Sequence, residues 1–86
     1  MTNNQVVELF ENGLKGASLN MTSTGDKLYS YNTIIAQWIN GKIIVNACKY
    51  SATTSKHTSS LKRKGYKTTN KDKWIPFNES NLTDYL

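Results

Sequence analysis

The chain holds one cysteine, one proline and one histidine in 86 residues. Cys48 alone forms no internal disulfide and no cysteine-based zinc site. The six carboxylates are scattered, so no metal-ligating cluster is expected. The five glycines are dispersed, and none builds a glycine-rich phosphate loop, so no cofactor is expected. No apolar run is long enough to span a bilayer, and the opening MTNNQVVELF lacks the basic start and apolar block of a secretory signal. These absences predict a cytoplasmic protein that makes no use of a membrane.

Little in the chain supports catalysis. An enzyme needs a nucleophile with a base, an acid–base pair, or a metal. Cys48 falls on a strand and His57 about two helical turns further along, and nothing in the sequence holds them together as a dyad. His57 beside Lys56 or Arg63 is a candidate for RNA cleavage. A packed or capping histidine accounts for it more simply. The expectation is a protein that is not an enzyme.

What the chain does have is basic charge in one block. The net charge is +5, from 11 basic and 6 acidic residues. Eight of the eleven bases (Lys49, Lys56, Lys62, Arg63, Lys64, Lys67, Lys71 and Lys73) lie between positions 49 and 73, against Asp72 alone, a local +7. The remainder sets three bases against five acids, or −2. Such asymmetry points to a surface that meets phosphates or an acidic protein, where a scattered excess would only keep the chain soluble.

The pattern of apolar residues predicts one small α+β domain over 1–86, in helix, three strands, helix order. A helix is expected over 1–16. Thr2 and Gln5 form its capping box, Val6, Val7, Leu9, Phe10 and Leu14 its apolar face, and Gly16 its stop. Antiparallel strands are expected over 18–50: Ser18–Thr22, Leu28–Ile39 and Lys42–Tyr50. Asn40-Gly41 is the strongest hairpin signal, since both residues tolerate the positive φ of a type I′ turn. A two-residue loop sets Ile39 opposite Lys42 and Tyr31 opposite Tyr50. Strict alternation then puts Ile34, Ala36, Trp38, Ile43, Val45 and Ala47 on a core face. It puts Tyr29, Tyr31, Thr33, Ile35, Gln37, Lys42, Ile44, Asn46, Cys48 and Tyr50 on the other.

A second, basic helix is expected over 51–65, capped by Ser51, Thr53 or Thr54 and closed by Gly65. Its inward stripe is Thr54, His57, Thr58 and Leu61; its outer stripe is Lys56, Ser60, Arg63 and Lys64. Over 66–86 the chain reads as a short fourth strand, Tyr66–Thr69, then an extended tail. A short helical turn begins at Ser80, with Leu82, Tyr85 and Leu86 docking back. The sheet is thus three- to four-stranded, antiparallel and built on the central hairpin.

Two features favour nucleic acid, DNA or RNA, as the partner. Thr54, Ser55, Lys56 and His57 bring hydroxyls, backbone N–H groups and a cation to a helix N-terminus, which suits a phosphate. Lys62, Arg63, Lys64 and Lys67 extend the positive track. Tyr31 and Tyr50, with Tyr29, offer rings for stacking unpaired bases. The competing reading is a protein inhibitor or adaptor. Its basic face would meet an acidic host protein that processes nucleic acid, and its tyrosines would serve as anchors. A small core with an uncovered tyrosine face also suits a homodimer.

Two resemblances bear on this. The order of elements is similar in topology to double-stranded-RNA-binding domains. The second helix lacks their alanine-rich face, however, and no glycine precedes Ser55-Lys56-His57, so no residue roles carry over. The segments YSYNTIIA and KYSATTSKHTSSL, within Tyr29–Leu61, resemble a signature of small accessory proteins of bacteriophages and plasmids. That resemblance implies either nucleic-acid binding or an anti-defence block of a host protein.

Overall fold

A computed structural model describes residues 1–48, 50 and 52–86 of the chain. Helix α1 (Asn3–Glu11) starts on the expected capping box. Gln5 N–H donates to Thr2 Oγ1 at 3.2 Å, and Thr2 N–H donates to Gln5 Oε1 at 2.8 Å. It ends earlier than position 16. Gly13 takes a left-handed φ of +71°, Gly13 N–H reaches Phe10 O, and Leu14 N–H reaches Leu9 O at 2.8 Å. That pair of bonds is a Schellman close, and it turns Leu14 out to solvent. Gly16 instead lies in the first strand, where a Cβ would stand 2.4 Å from Leu9 Cδ1. It leaves room for the Leu9 side chain.

Among the described residues six strands follow: β1 (Lys15–Ala17), β2 (Met21–Thr24), β3 (Lys27–Ser30), β4 (Thr33–Ile39), β5 (Lys42–Val45) and β6 (Lys67–Thr68). They form one sheet in sequence order. Helix α2 (Ala52–Lys62) connects β5 to β6, which therefore pair in parallel, whereas every other pair is antiparallel. The α+β class is as expected, but the sheet has six strands in place of three or four and one parallel pair. That also departs from the double-stranded-RNA-binding layout.

The Asn40-Gly41 hairpin forms as the sequence predicts. Its φ values are +52° and +76°, and Ile39, Trp38, Gln37 and Ala36 pair with Lys42, Ile43, Ile44 and Val45. The expected partnership of Tyr31 with Tyr50 does not occur, for two reasons. The stretch 28–39 is broken by a two-residue turn at Tyr31-Asn32, between the paired Ser30 and Thr33. At the other end, the chain leaves the sheet at Asn46. Its buried side-chain amide donates to Ile34 O at 2.8 Å, and its Oδ1 accepts Cys48 N–H at 2.8 Å.

The face assignments of Ile34 and Ile35 are exchanged relative to strict alternation. Leu28 pairs with Ala36 and Tyr29 with Ile34, so Ile35 is the extra residue of a bulge. Ile35 joins Ala36, Ile43 and Val45 beneath the helices, packed with Val6, Val7, Phe10, Met21, Leu28 and Leu61. Ile34 joins Ile39 and Ile44 on the opposite face, which Ile75 and Leu82 cover. The tail is fixed there by Gln37, whose Oε1 accepts Leu82 N–H at 2.7 Å. A single 3₁₀ turn, Thr83–Tyr85, ends it, and Leu86 remains half-exposed. Among the described residues, no helix is long and apolar enough to cross a membrane.

Candidate nucleic-acid interface

Helix α2 has two unlike sides. Thr54, Thr58 and Leu61 are 4%, 2% and 1% exposed, and His57 is half-buried beside them, which is the inward stripe read from the sequence. Thr58 Oγ1 donates to Ser55 O at 3.0 Å, so that its hydroxyl is satisfied within the helix. Lys56, Ser59, Ser60, Arg63 and Lys64 face solvent, and Lys62 is half-exposed. No acid occurs between Ala52 and Asn70. Among the described residues the single ion pair is Lys64 with Glu11 of α1, at 3.1 Å. Tyr66 donates to the same carboxylate, and its hydroxyl is pushed up to about 12 by burial and by that bond. Lys56, Lys62, Arg63 and Lys67 therefore keep their charge for solvent or a ligand. The Ser51 cap and the Lys49 charge expected from the sequence lie outside the described residues; Thr53 and Thr54 lie inside the helix.

His57 serves the interior. Ser18 Oγ donates to Asn3 Oδ1 at 2.5 Å, which leaves the Asn3 amide to donate to His57 Nε2 at 3.2 Å. Nδ1 then carries the proton and donates to Ser30 Oγ at 2.8 Å, and Ser30 Oγ lies 3.4 Å from Thr54 Oγ1. Burial holds the imidazole below its ordinary value of 6.5. A serine, a histidine and an asparagine in a row resemble a hydrolytic triad in outline. Ser30 is 0% exposed, however, so its hydroxyl has no open approach for a substrate. The chain of bonds ties α1, the β1–β2 turn, β3 and α2 together. Cys48 lies elsewhere, on the tail side of the sheet: its thiol reaches Lys73 O at 3.5 Å and accepts Ile75 N–H at 3.4 Å. Cys48 and His57 are not a pair. Among the described residues no three His, Cys, Asp or Glu side chains converge as a metal site.

Of the residues singled out in the sequence, Lys56 and Lys62 lie on α2, Arg63 and Lys64 in the turn that follows it, with Lys64 held by Glu11, and Lys67 on β6 beside Lys42. Ser55 is half-buried, while Thr54 and His57 turn inward. Tyr50 supports rather than presents: its hydroxyl donates to Ile75 O at 2.5 Å and accepts from Asn46 Nδ2 at 3.1 Å, and burial pushes it up to about 12. Its ring packs against Trp74 at 5.6 Å. Tyr31 stands apart and 55% exposed on the β3–β4 turn.

Sequence reasoning passed over Lys42. It lines two clefts beside Lys67, one of about 380 Å³ under the helices and one of about 460 Å³ on the tail side. Only the parallel β5–β6 pairing brings those lysines together. It also passed over Trp74 and Phe77 as surface residues. They are 67% and 66% exposed, although Ile75 between them is fully buried.

The fold defines a small α+β protein: a sheet with two helices on one face and an extended tail on half of the other. The chain belongs to DUF8033, a family of unknown function, whose model matches residues 1–76. No curated protein and no solved structure matches it.

Proposed function

We propose that this chain is a small accessory protein of phage type that binds nucleic acid without chemistry, through the outer side of α2 and the start of β6. The observation that carries the reading is the acid-free solvent face of α2. Lys56 and Ser60 lie four residues apart on its exposed stripe, Arg63 follows with its N–H still bonded to Ser59 O, and Lys67 opens β6. Unpaired cations on a rigid element release counterions from a phosphate backbone when they bind. The resemblance of YSYNTIIA and KYSATTSKHTSSL to phage and plasmid accessory proteins supports the same reading.

The test is fluorescence anisotropy with labelled single- and double-stranded DNA and RNA across a salt series. Wild-type binding should fall steeply with salt. Replacing Lys56, Arg63 and Lys67 with alanine should weaken it at least tenfold and lower the slope of log K against log salt by about 1 per cation removed. Unchanged affinity and slope in that variant would sink the proposal.

A second reading is favoured by Trp74 and Phe77, two large apolar side chains exposed on either side of Pro76. Exposed aromatics of this kind are common anchors for a protein partner, here a host nucleic-acid-processing enzyme or a second copy. Pull-down from nuclease-treated host lysate separates the readings. A partner that survives nuclease and is lost in Trp74→Ala supports this second one.

A further inference from the structure

Tyr31 occupies a backbone position that its side chain makes costly. It is the first of two central residues in the β3–β4 turn and has φ +54°, a left-handed value that favours glycine. Its ring is nevertheless 55% exposed, so no core packing explains a bulky residue there. An exposed aromatic held in a sparsely populated conformation is a recognised mark of a working surface.

The surroundings of Tyr31 suit a flat, polar ring. With Tyr29, Thr22, Thr24 and Asn32 it lines a shallow cleft of about 290 Å³. The cleft lies on the tail side of the sheet, at the margin of the second core against which Tyr29 packs, since Thr22 pairs with Tyr29 and points away from buried Met21 and Ser23. Two phenol rings offer stacking surface, and two hydroxyls and an amide offer hydrogen bonds. Lys15 and Lys27 lie on the same sheet face, as the pairings of Lys15 with Thr24 and Thr22 with Tyr29 require. Two acids stand among them: Asp26 on the β2–β3 turn accepts from the cleft's own Thr24 Oγ1 at 3.0 Å, and Glu79 of the tail interacts with Lys27.

Position connects this cleft to α2. Ser30, the residue before Tyr31, is the one that holds His57 and touches Thr54. The Tyr31 turn therefore adjoins the N-terminal half of α2, whose outer side begins with Lys56. We infer that the Tyr29–Tyr31 cleft takes an unpaired base, and that the ligand of this protein is single-stranded nucleic acid whose phosphates run along α2. Charge complementarity selects this occupant: the cations come from the acid-free outer side of α2, whose inner side the neighbouring Ser30 touches. The inference rests on the nucleic-acid reading proposed above.

The experiment compares Tyr31→Gly, Tyr31→Phe and wild type for binding to a labelled oligothymidylate and to its duplex with oligoadenylate. Thermal melting of each protein is recorded alongside. Tyr31→Gly relieves the turn, so it should melt no lower than wild type, and lost binding cannot be ascribed to misfolding. Its affinity for the single strand should fall about tenfold or more, in line with the loss of a base–aromatic stack. Its duplex affinity and its salt slope should stay within twofold of wild type. Tyr31→Phe should bind like wild type. Wild-type single-strand affinity in Tyr31→Gly would overturn this inference while leaving the α2 proposal standing. Failure of wild type to bind either ligand would overturn both.

Discussion

At the scale of single residues, the informative positions are those where chemistry and location disagree. His57 lies in the basic block yet spends both nitrogens on Asn3 and Ser30. Its depressed titration has a consequence for stability. The unfolded chain takes up a proton near 6.5, while the folded imidazole resists it because the ring is partly buried. The folded state is therefore fully favoured above about pH 6.5. It loses ground as pH falls below that value, until the folded imidazole also protonates. Urea titrations between pH 7.5 and 5, above the range of ordinary carboxylates, should show declining stability for wild type. His57→Gln should be less stable at pH 7.5 but flat across that window. A wild-type profile with no slope there would show that protonation does not oppose folding. Tyr31 shows the opposite disagreement, a local conformation unfavourable by roughly 1 kcal/mol in a non-glycine residue at a site where nothing is packed.

At the scale of elements, what was legible in the sequence depended on whether local chemistry decided the outcome. The capping box at Thr2 and Gln5, the Asn40-Gly41 hairpin with its register, and the inner stripe of α2 all follow from patterns a few residues long. The bulge at Ile35 was not legible, because one extra residue in a run of apolar residues leaves no mark on composition. The Tyr31-Asn32 turn was hidden for a similar reason: a tyrosine stands where glycine would announce it. Lys42 and Lys67 became neighbours only through a parallel pairing that the sequence does not encode locally. The later end expected for α1 followed from taking Gly16 as the stop, where Gly13 has the required conformation. Gly16 instead leaves room on β1 for the Leu9 side chain of α1, and its replacement tests that contact. Gly16→Val should cost less than the roughly 1–3 kcal/mol of core overpacking, because the half-buried Leu9 side chain can swing its methyl aside. Adding Leu9→Ala should recover part of that loss in a double-mutant cycle by chemical denaturation. Strict additivity of the two would show that the helix does not rest on this contact.

At the scale of the whole molecule, the sheet is covered unequally. Both helices lie on one side, and on the other the tail shields Ile34, Ile39 and Ile44, with Tyr29 of β3 packed against them, while the β1–β2 edge stays open. The family match ends at residue 76, yet Leu82, beyond it, is fully buried in the second core. The sheet also has an order in time. Five strands follow one another as hairpins, so their pairings join residues close in sequence and close early; the β5–β6 seam must wait for α2 to cross over. Assembly should therefore begin with the meander and finish at Thr69, whose amide bonds Val45 O at 2.9 Å and whose hydroxyl accepts Ala47 N–H. Opening should run in reverse. In native-state hydrogen exchange the Thr69 amide should exchange well before that of Trp38, which bonds Asp26 O across the meander. Simultaneous exchange would make the domain a single cooperative unit. If the seam does open first, the basic helix is the last element to be secured and the first released, which makes its docking the step that a bound polyanion would stabilise.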